Sequence, residues 1–157
     1  MASAARKIMI AMDGSKHAEH VFDWYVKYFY RDNDFVVVIY CTEHGALLST
    51  PVPCSDPTFI SKLATEEEVE ITKLLKHYQN KFYEAKQQHP NMKGSVQRLA
   101  GRKPGPLIVD QAHDQNIDLI LTGARGMSTL RRTVTGSVST YIMQNSRVPV
   151  LIVRLVE

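Results

Sequence analysis

The spacing of apolar runs limits what this chain can fold into more tightly than any single residue does. Lys7-Ile8-Met9-Ile10-Ala11-Met12 is short and almost continuously apolar, and Phe35-Val36-Val37-Val38-Ile39-Tyr40-Cys41 repeats the pattern after the polar break at 31–34. Short runs without alternation predict strands buried on both faces, as in a parallel sheet covered by helices. Further strands are predicted at 94–100, 118–122 and 148–155. The segments between them carry helical spacing. Ala18, Val21, Phe22, Tyr25 and Phe29 mark the first helix, with Ser15 as its N-cap. Ile71, Leu74, Leu75, Tyr78, Phe82 and Ala85 give the inner face of a long helix over about 58–89. Leu107, Ile108 and Ala112 belong to a third helix that ends near Asn116, and a fourth spans 136–146. The order βαβαβαβαβ predicts an open five-stranded parallel sheet, order 3-2-1-4-5, with helices on both faces: a Rossmann-like α/β domain. At 157 residues one domain is expected, with its core at about 6–155.

A sheet of this kind takes ligands outside the carboxyl ends of its strands, where the strand order reverses. Strand one ends at Asp13 and strand four at Gly123, so both face one crevice. The fourth strand runs into Thr122-Gly123-Ala124-Arg125-Gly126; nine residues later Gly136-Ser137-Val138-Ser139 opens the last helix. Helix N-termini carry unpaired N–H groups and the positive end of the dipole, so this loop reads as a phosphate cradle. Gly123 and Gly126 let ribose and phosphates approach the backbone. The N–H groups of Ser137 and Val138 hold phosphate oxygens, the hydroxyls of Ser137 and Ser139 add hydrogen bonds, and Arg125 offers a charged fork. No Gly-Lys-Ser/Thr follows these glycines, which excludes the common nucleotide-hydrolase loop. The first turn, Asp13-Gly14-Ser15, has one glycine, which disfavours a dinucleotide cofactor. Asp13 has two readings, a turn residue before a helix or a carboxylate that accepts from an adenine amino group or a ribose hydroxyl. Cys41 is expected to act through its backbone edge, with Ala11 and Thr122 filling space beside the base.

The net charge of +3 is spread along the chain without a basic stripe interleaved with aromatics, so no nucleic-acid partner is expected. No apolar stretch approaches the roughly 20 residues of a membrane span, and no signal core follows Met1. Cys41 and Cys54 have neither metal-motif spacing nor a disulfide framework, which together with the rest predicts a cytoplasmic protein. His17 and His20 read as helix-surface residues, Glu66-Glu67-Glu68 as a solvated face, and 43–57 as a variable loop too long for a plain connector. The last run, with Val148, Val150, Leu151, Ile152 and Val153, is predicted at an unprotected sheet edge, which invites a two-fold homodimer.

From Lys7 to Arg154 the chain resembles the universal stress protein family. The carrying residues are Ile8 to Ser15, Gly101 with Pro104, Asp118-Leu119-Ile120, and above all Gly-x2-Gly-x9-Gly-Ser at Gly123, Gly126, Gly136 and Ser137. That spacing resembles the ATP-binding branch. The resemblance implies an adenine and ribose wall of Ala11, Asp13, Cys41 and Thr122, and a phosphate side of Gly123, Arg125, Gly126, Gly136, Ser137, Val138 and Ser139. It implies ATP, ADP or AMP as ligand, with magnesium or manganese carried by the phosphates, and no metal site of the protein's own. It points to the last strand as the dimer contact, and to a stress-response switch that acts on protein clients. Some members have proline or valine where Ala11 stands, and often histidine where Arg125 stands. The alternative is a slow ATPase or phosphotransferase using the same crevice, although no lysine stands in the phosphate loop. A phospho-receiver is the third reading, set back by the lack of an acidic neighbour to Asp13.

Overall fold

The computed structural model describes residues 5–42, 57–101, 103–124 and 137–155. Arg125, Gly126, Gly136 and the stretch 43–56 therefore lie outside the described residues. The elements run β1 Lys7–Met12, α1 Lys16–Trp24, a π-helical turn Tyr25–Phe29, β2 Phe35–Thr42, α2 Pro57–Gln88, β3 Lys93–Ala100, α3 Pro104–Asp114, β4 Leu119–Gly123, α4 Ser137–Asn145 and β5 Val150–Val153. All pairings are parallel, and the sheet order is β3-β2-β1-β4-β5, as the sequence predicts.

Alternation along the strands divides the core into two layers. Ile8, Ile10, Met12, Val36, Val38 and Leu121 pack with Ala18, Val21, Phe22 and Tyr25 of α1 and the π-turn, and with Tyr78 and Ala85 of α2. Met9, Val37, Ile39 and Ile120 pack on the other face with Ile108 and Ala112 of α3 and Ile142 of α4. Ile8, Met9 and Ile10 are all fully buried, so β1 feeds both layers, and each such side chain contributes on the order of 1.5–3 kcal/mol. This is why the run had to be apolar throughout.

Two boundaries and one side chain differ from the sequence reading. The first helix does not stay α-helical to Phe29: Tyr30 N donates to Tyr25 O at 2.8 Å, and Arg6 Nη2 donates to Phe29 O at 3.2 Å. The last strand begins at Val150 instead of Val148. Val148 lies in a turn where its N–H donates to Ser146 Oγ (3.1 Å) and its carbonyl accepts from the same hydroxyl (2.8 Å), so it is not part of an edge strand. Glu68 is not simply solvated: its carboxylate takes two bonds from Arg98 of β3, at 3.0 and 2.7 Å. Asn116 ends α3 with φ 56, a left-handed conformation that asparagine tolerates.

Candidate functional site

The strand order reverses between β1 and β4, and the register brings the predicted wall residues there. Met12 pairs with Tyr40, so Asp13, one step on, stands level with Cys41. Ile10 pairs with Leu121, so Ala11 stands level with Thr122. Ala11 and Cys41 both pack against the α3/α4 core layer, and so does Val138 from the first turn of α4. Thr122 and Ser139 are buried, at 6% and 3% exposure. Small side chains on adjacent strand ends thus meet the start of a helix, and that helix has no acidic residue in its first turn. A helix N-terminus favours an anion through its leading N–H groups and its dipole.

The β1–α1 turn is ordered by its own side chains. Asp13 Oδ1 accepts from Ser15 N at 2.9 Å and from the Ser15 hydroxyl, while Ser15 Oγ caps the helix by accepting from Ala18 N at 3.2 Å. The turn reading of Asp13 therefore holds for Oδ1, and Oδ2 has no hydrogen-bond partner among the described residues. Gly14 has φ 86, a conformation that side chains resist, and its N–H donates to Tyr78 Oη of α2 at 2.8 Å. Neither the Tyr78 bond nor the conformation of Gly14 was visible in the sequence, although a Gly at a strand-to-helix turn is the signal that hints at the second.

Burial pushes the Cys41 thiol up to about 11, so it stays protonated at neutral pH and is a poor nucleophile. Burial, with Asp13 adding to it, also raises the phenols of Tyr40 and Tyr78. Both remain uncharged hydroxyls on the α1/α2 side. At Gly123 an added Cβ would meet His17 backbone atoms and Val21 Cγ2 at 3.5 Å, ordinary contact with α1. The missing side chain is thus on the α1 side, and what Gly123 offers the crevice is bare backbone. Among the described residues no three His, Cys, Asp or Glu side chains gather as metal ligands, and no helix is long and apolar enough to cross a membrane.

Residues 4–154 match the universal stress protein family. A universal stress protein of Synechocystis sp. is 26% identical over 157 residues, covering 94% of this chain and 97% of its own length. A relative from Staphylococcus aureus strain USA300 is 30% identical over 153 residues, covering 97% of this chain and 86% of its own. Among solved structures, the universal stress protein UspA from Lactobacillus plantarum superposes with a TM-score of 0.74 at 23% identity, over 98% of this chain and 100% of that one. A universal stress protein in complex with cAMP superposes with a TM-score of 0.66 at 20% identity, over 97% and 98%. At these identities the two structures establish the shared fold.

Proposed function

The chain belongs to the universal stress protein family, and on that footing we propose that it binds an adenine nucleotide at the β1/β4 switch point and acts as a nucleotide-dependent homodimeric switch in the stress response. The observation that carries this reading is the meeting of Ala11, Asp13, Cys41 and Thr122 at the strand ends beside the first turn of α4. The wall offers small side chains and a carboxylate to adenine and ribose; the α4 N-terminus offers N–H groups of Ser137 and Val138 to phosphates. Gly123, Arg125, Gly126, Gly136 and Ser139 complete the phosphate side in this proposal. The spacing of its glycines favours the ATP-binding branch, with magnesium or manganese held by the phosphates. A family member of the same fold is known in complex with cAMP, which supports an adenine nucleotide as the class of ligand.

Binding is favoured over hydrolysis. Burial keeps the Cys41 thiol protonated, so it is no ready nucleophile, and no lysine stands in the sequence of the phosphate loop. β5 lies at the sheet edge next to β4, which supports the second-copy contact through Val150, Leu151, Ile152 and Val153. Leu151 and Val153 pack on their own core, so the association test belongs at Ile152. Sedimentation of a monomer at all accessible concentrations would remove the dimer from the proposal.

The test of the site is a thermal-shift titration with ATP, AMP and GTP, with and without magnesium, on wild type and Gly126→Val. A ligand that binds only the native form adds about 2.7 kcal/mol at a hundredfold excess over its Kd. The expected result is an adenine-selective, saturable rise in Tm that folded Gly126→Val lacks. No rise from nucleotide-free protein would reduce the glycine loop to architecture.

A further inference from the structure

α2 is 32 residues long, yet its buried positions among the described residues form a thin seam: Ile71, Tyr78 and Ala85, seven residues apart. Tyr78 is the largest and stands at the middle of the seam, 2% exposed. A tyrosine at a core position has to place its hydroxyl, and this one places it on the N–H of Gly14 at 2.8 Å. Its neighbours on α2 reach the same segment. His77 Nε2 meets Glu19 Oε1 at 2.5 Å, and Lys81 Nζ meets Asp23 Oδ1 at 2.9 Å. Phe82 of the next turn packs partly buried against the same core layer.

The N–H held by Tyr78 belongs to the peptide that joins Asp13 to Gly14. Its orientation sets ψ of Asp13 and φ of Gly14, and therefore where Ser15, whose N–H and hydroxyl hold the Asp13 carboxylate, stands relative to that side chain. The carboxylate is fixed from its other side by Ser15, whose hydroxyl caps α1. The bonds form one path: α2 through Tyr78 to the Asp13–Gly14 peptide, and from the Asp13 side chain to α1.

We propose that Tyr78 is a positioning residue for the Asp13 carboxylate, so that α2 holds the nucleotide site in shape and feels its occupancy; this rests on the nucleotide reading above. A hydroxyl is required, and phenylalanine would fill the same space without it. The seam continues to either side, so loss of the hydroxyl leaves the packing of α2 in place.

The experiment is isothermal titration of ATP into wild type, Tyr78→Phe, Asp13→Asn and the double variant. Tyr78→Phe weakens ATP by about fivefold to tenfold, the worth of one buried hydrogen bond. The double variant binds no more weakly than Asp13→Asn alone, because both act through one carboxylate. Tyr25→Phe is the control: it deletes another buried hydroxyl bond, to Asp34, and leaves ATP affinity within about twofold. Unchanged affinity in Tyr78→Phe overturns the proposal and leaves the nucleotide reading standing, as do losses that multiply in the double variant. No ATP binding by the wild type overturns the nucleotide reading and this inference with it. Amide exchange on the wild type needs no substitution: the Gly14 N–H is protected and slows further with ATP. Exchange of that amide at the rate of an open chain overturns the assignment.

Discussion

Where the strands begin, Asp34 is 2% exposed and gathers bonds from Arg6 Nε (2.7 Å), Arg6 Nη2 (2.6 Å), Tyr25 Oη (2.7 Å) and Arg31 N (3.1 Å). Beside it, Lys7 N donates to Asp118 Oδ2 and Asp118 N donates to Lys7 O, both at 2.8 Å, tying the starts of β1 and β4 together. Where the strands finish, the same two strands carry Ala11 and Thr122, and the carboxylate present, Asp13, bonds only within its own turn among the described residues. One end of the sheet is closed by charged side chains that bridge distant segments. At the other, Ala11 and Thr122 are small and the Asp13 side chain bonds within its own turn, while Tyr78 reaches the Gly14 N–H from α2. The contrast separates an end whose charged groups are spent on one another from the end where the nucleotide is proposed to bind, at which Asp13 keeps one carboxylate oxygen without a partner among the described residues.

The largest effect is expected at the closed end. Asp34→Ala leaves the Arg6 guanidinium and the Tyr25 hydroxyl without their acceptor and should cost about 3–5 kcal/mol, read from urea unfolding. The folded fraction should keep its nucleotide affinity. A loss under about 1 kcal/mol would mean that the network does not close that end. The same site sets an acid limit. Burial by itself pushes the Asp34 carboxyl up, but the bonds from Arg6, Tyr25 and Arg31 outweigh it and hold the carboxyl below the usual range. A carboxyl depressed in the folded state stabilises the protein above its unfolded pKa, near 4, and that contribution is lost as pH falls through the folded value. Stability measured from pH 6 downward should therefore fall more steeply in wild type than in Asp34→Asn.

A smaller effect is expected at the open end. Gly14 holds φ 86, and alanine there carries the cost of a left-handed conformation, about 1–2 kcal/mol. The comparison sharpens if Gly14→Ala, less destabilised than Asp34→Ala in urea, loses more nucleotide affinity. The reverse ranking would break it, because the two ends would then share both roles.

The fold was legible because each strand is apolar on a scale the sheet dictates, and the crossovers leave few orders to choose from. Ala11, Asp13, Cys41 and Thr122 could be placed together because strand ends are marked in the sequence by the turn residues that follow. What escaped the reading depends on residues far apart in the chain. The π-turn at Tyr25–Phe29 continues an unbroken apolar period, and it departs from the α-helix where Arg6, 23 positions earlier, takes the Phe29 carbonyl. Arg98 finds Glu68 across 30 positions, and Tyr78 finds Gly14 across 64. Periodicity shows that Tyr78 faces inward; it carries no information on what its hydroxyl meets.

The smallest effect is expected at Cys41, although it stands level with Asp13 in the crevice wall. Burial raises its thiol to about 11, so at pH 8 the reactive thiolate is about one part in a thousand. The side chain packs against the α3/α4 core layer as a small apolar group, and in the proposed site the edge it would offer a ligand is its backbone. Cys41→Ala keeps that backbone and most of the shape, and should change nucleotide affinity by no more than about twofold, at a cost near 1 kcal/mol for the sulfur left out of the core. Alkylation by iodoacetamide at pH 8 should be slow in the native protein and fast once it is unfolded, where the thiol returns to about 8.5. Rapid native alkylation that bound nucleotide blocks would place the sulfur itself on the open face of the crevice, and Cys41 would then belong to the ligand surface as a side chain.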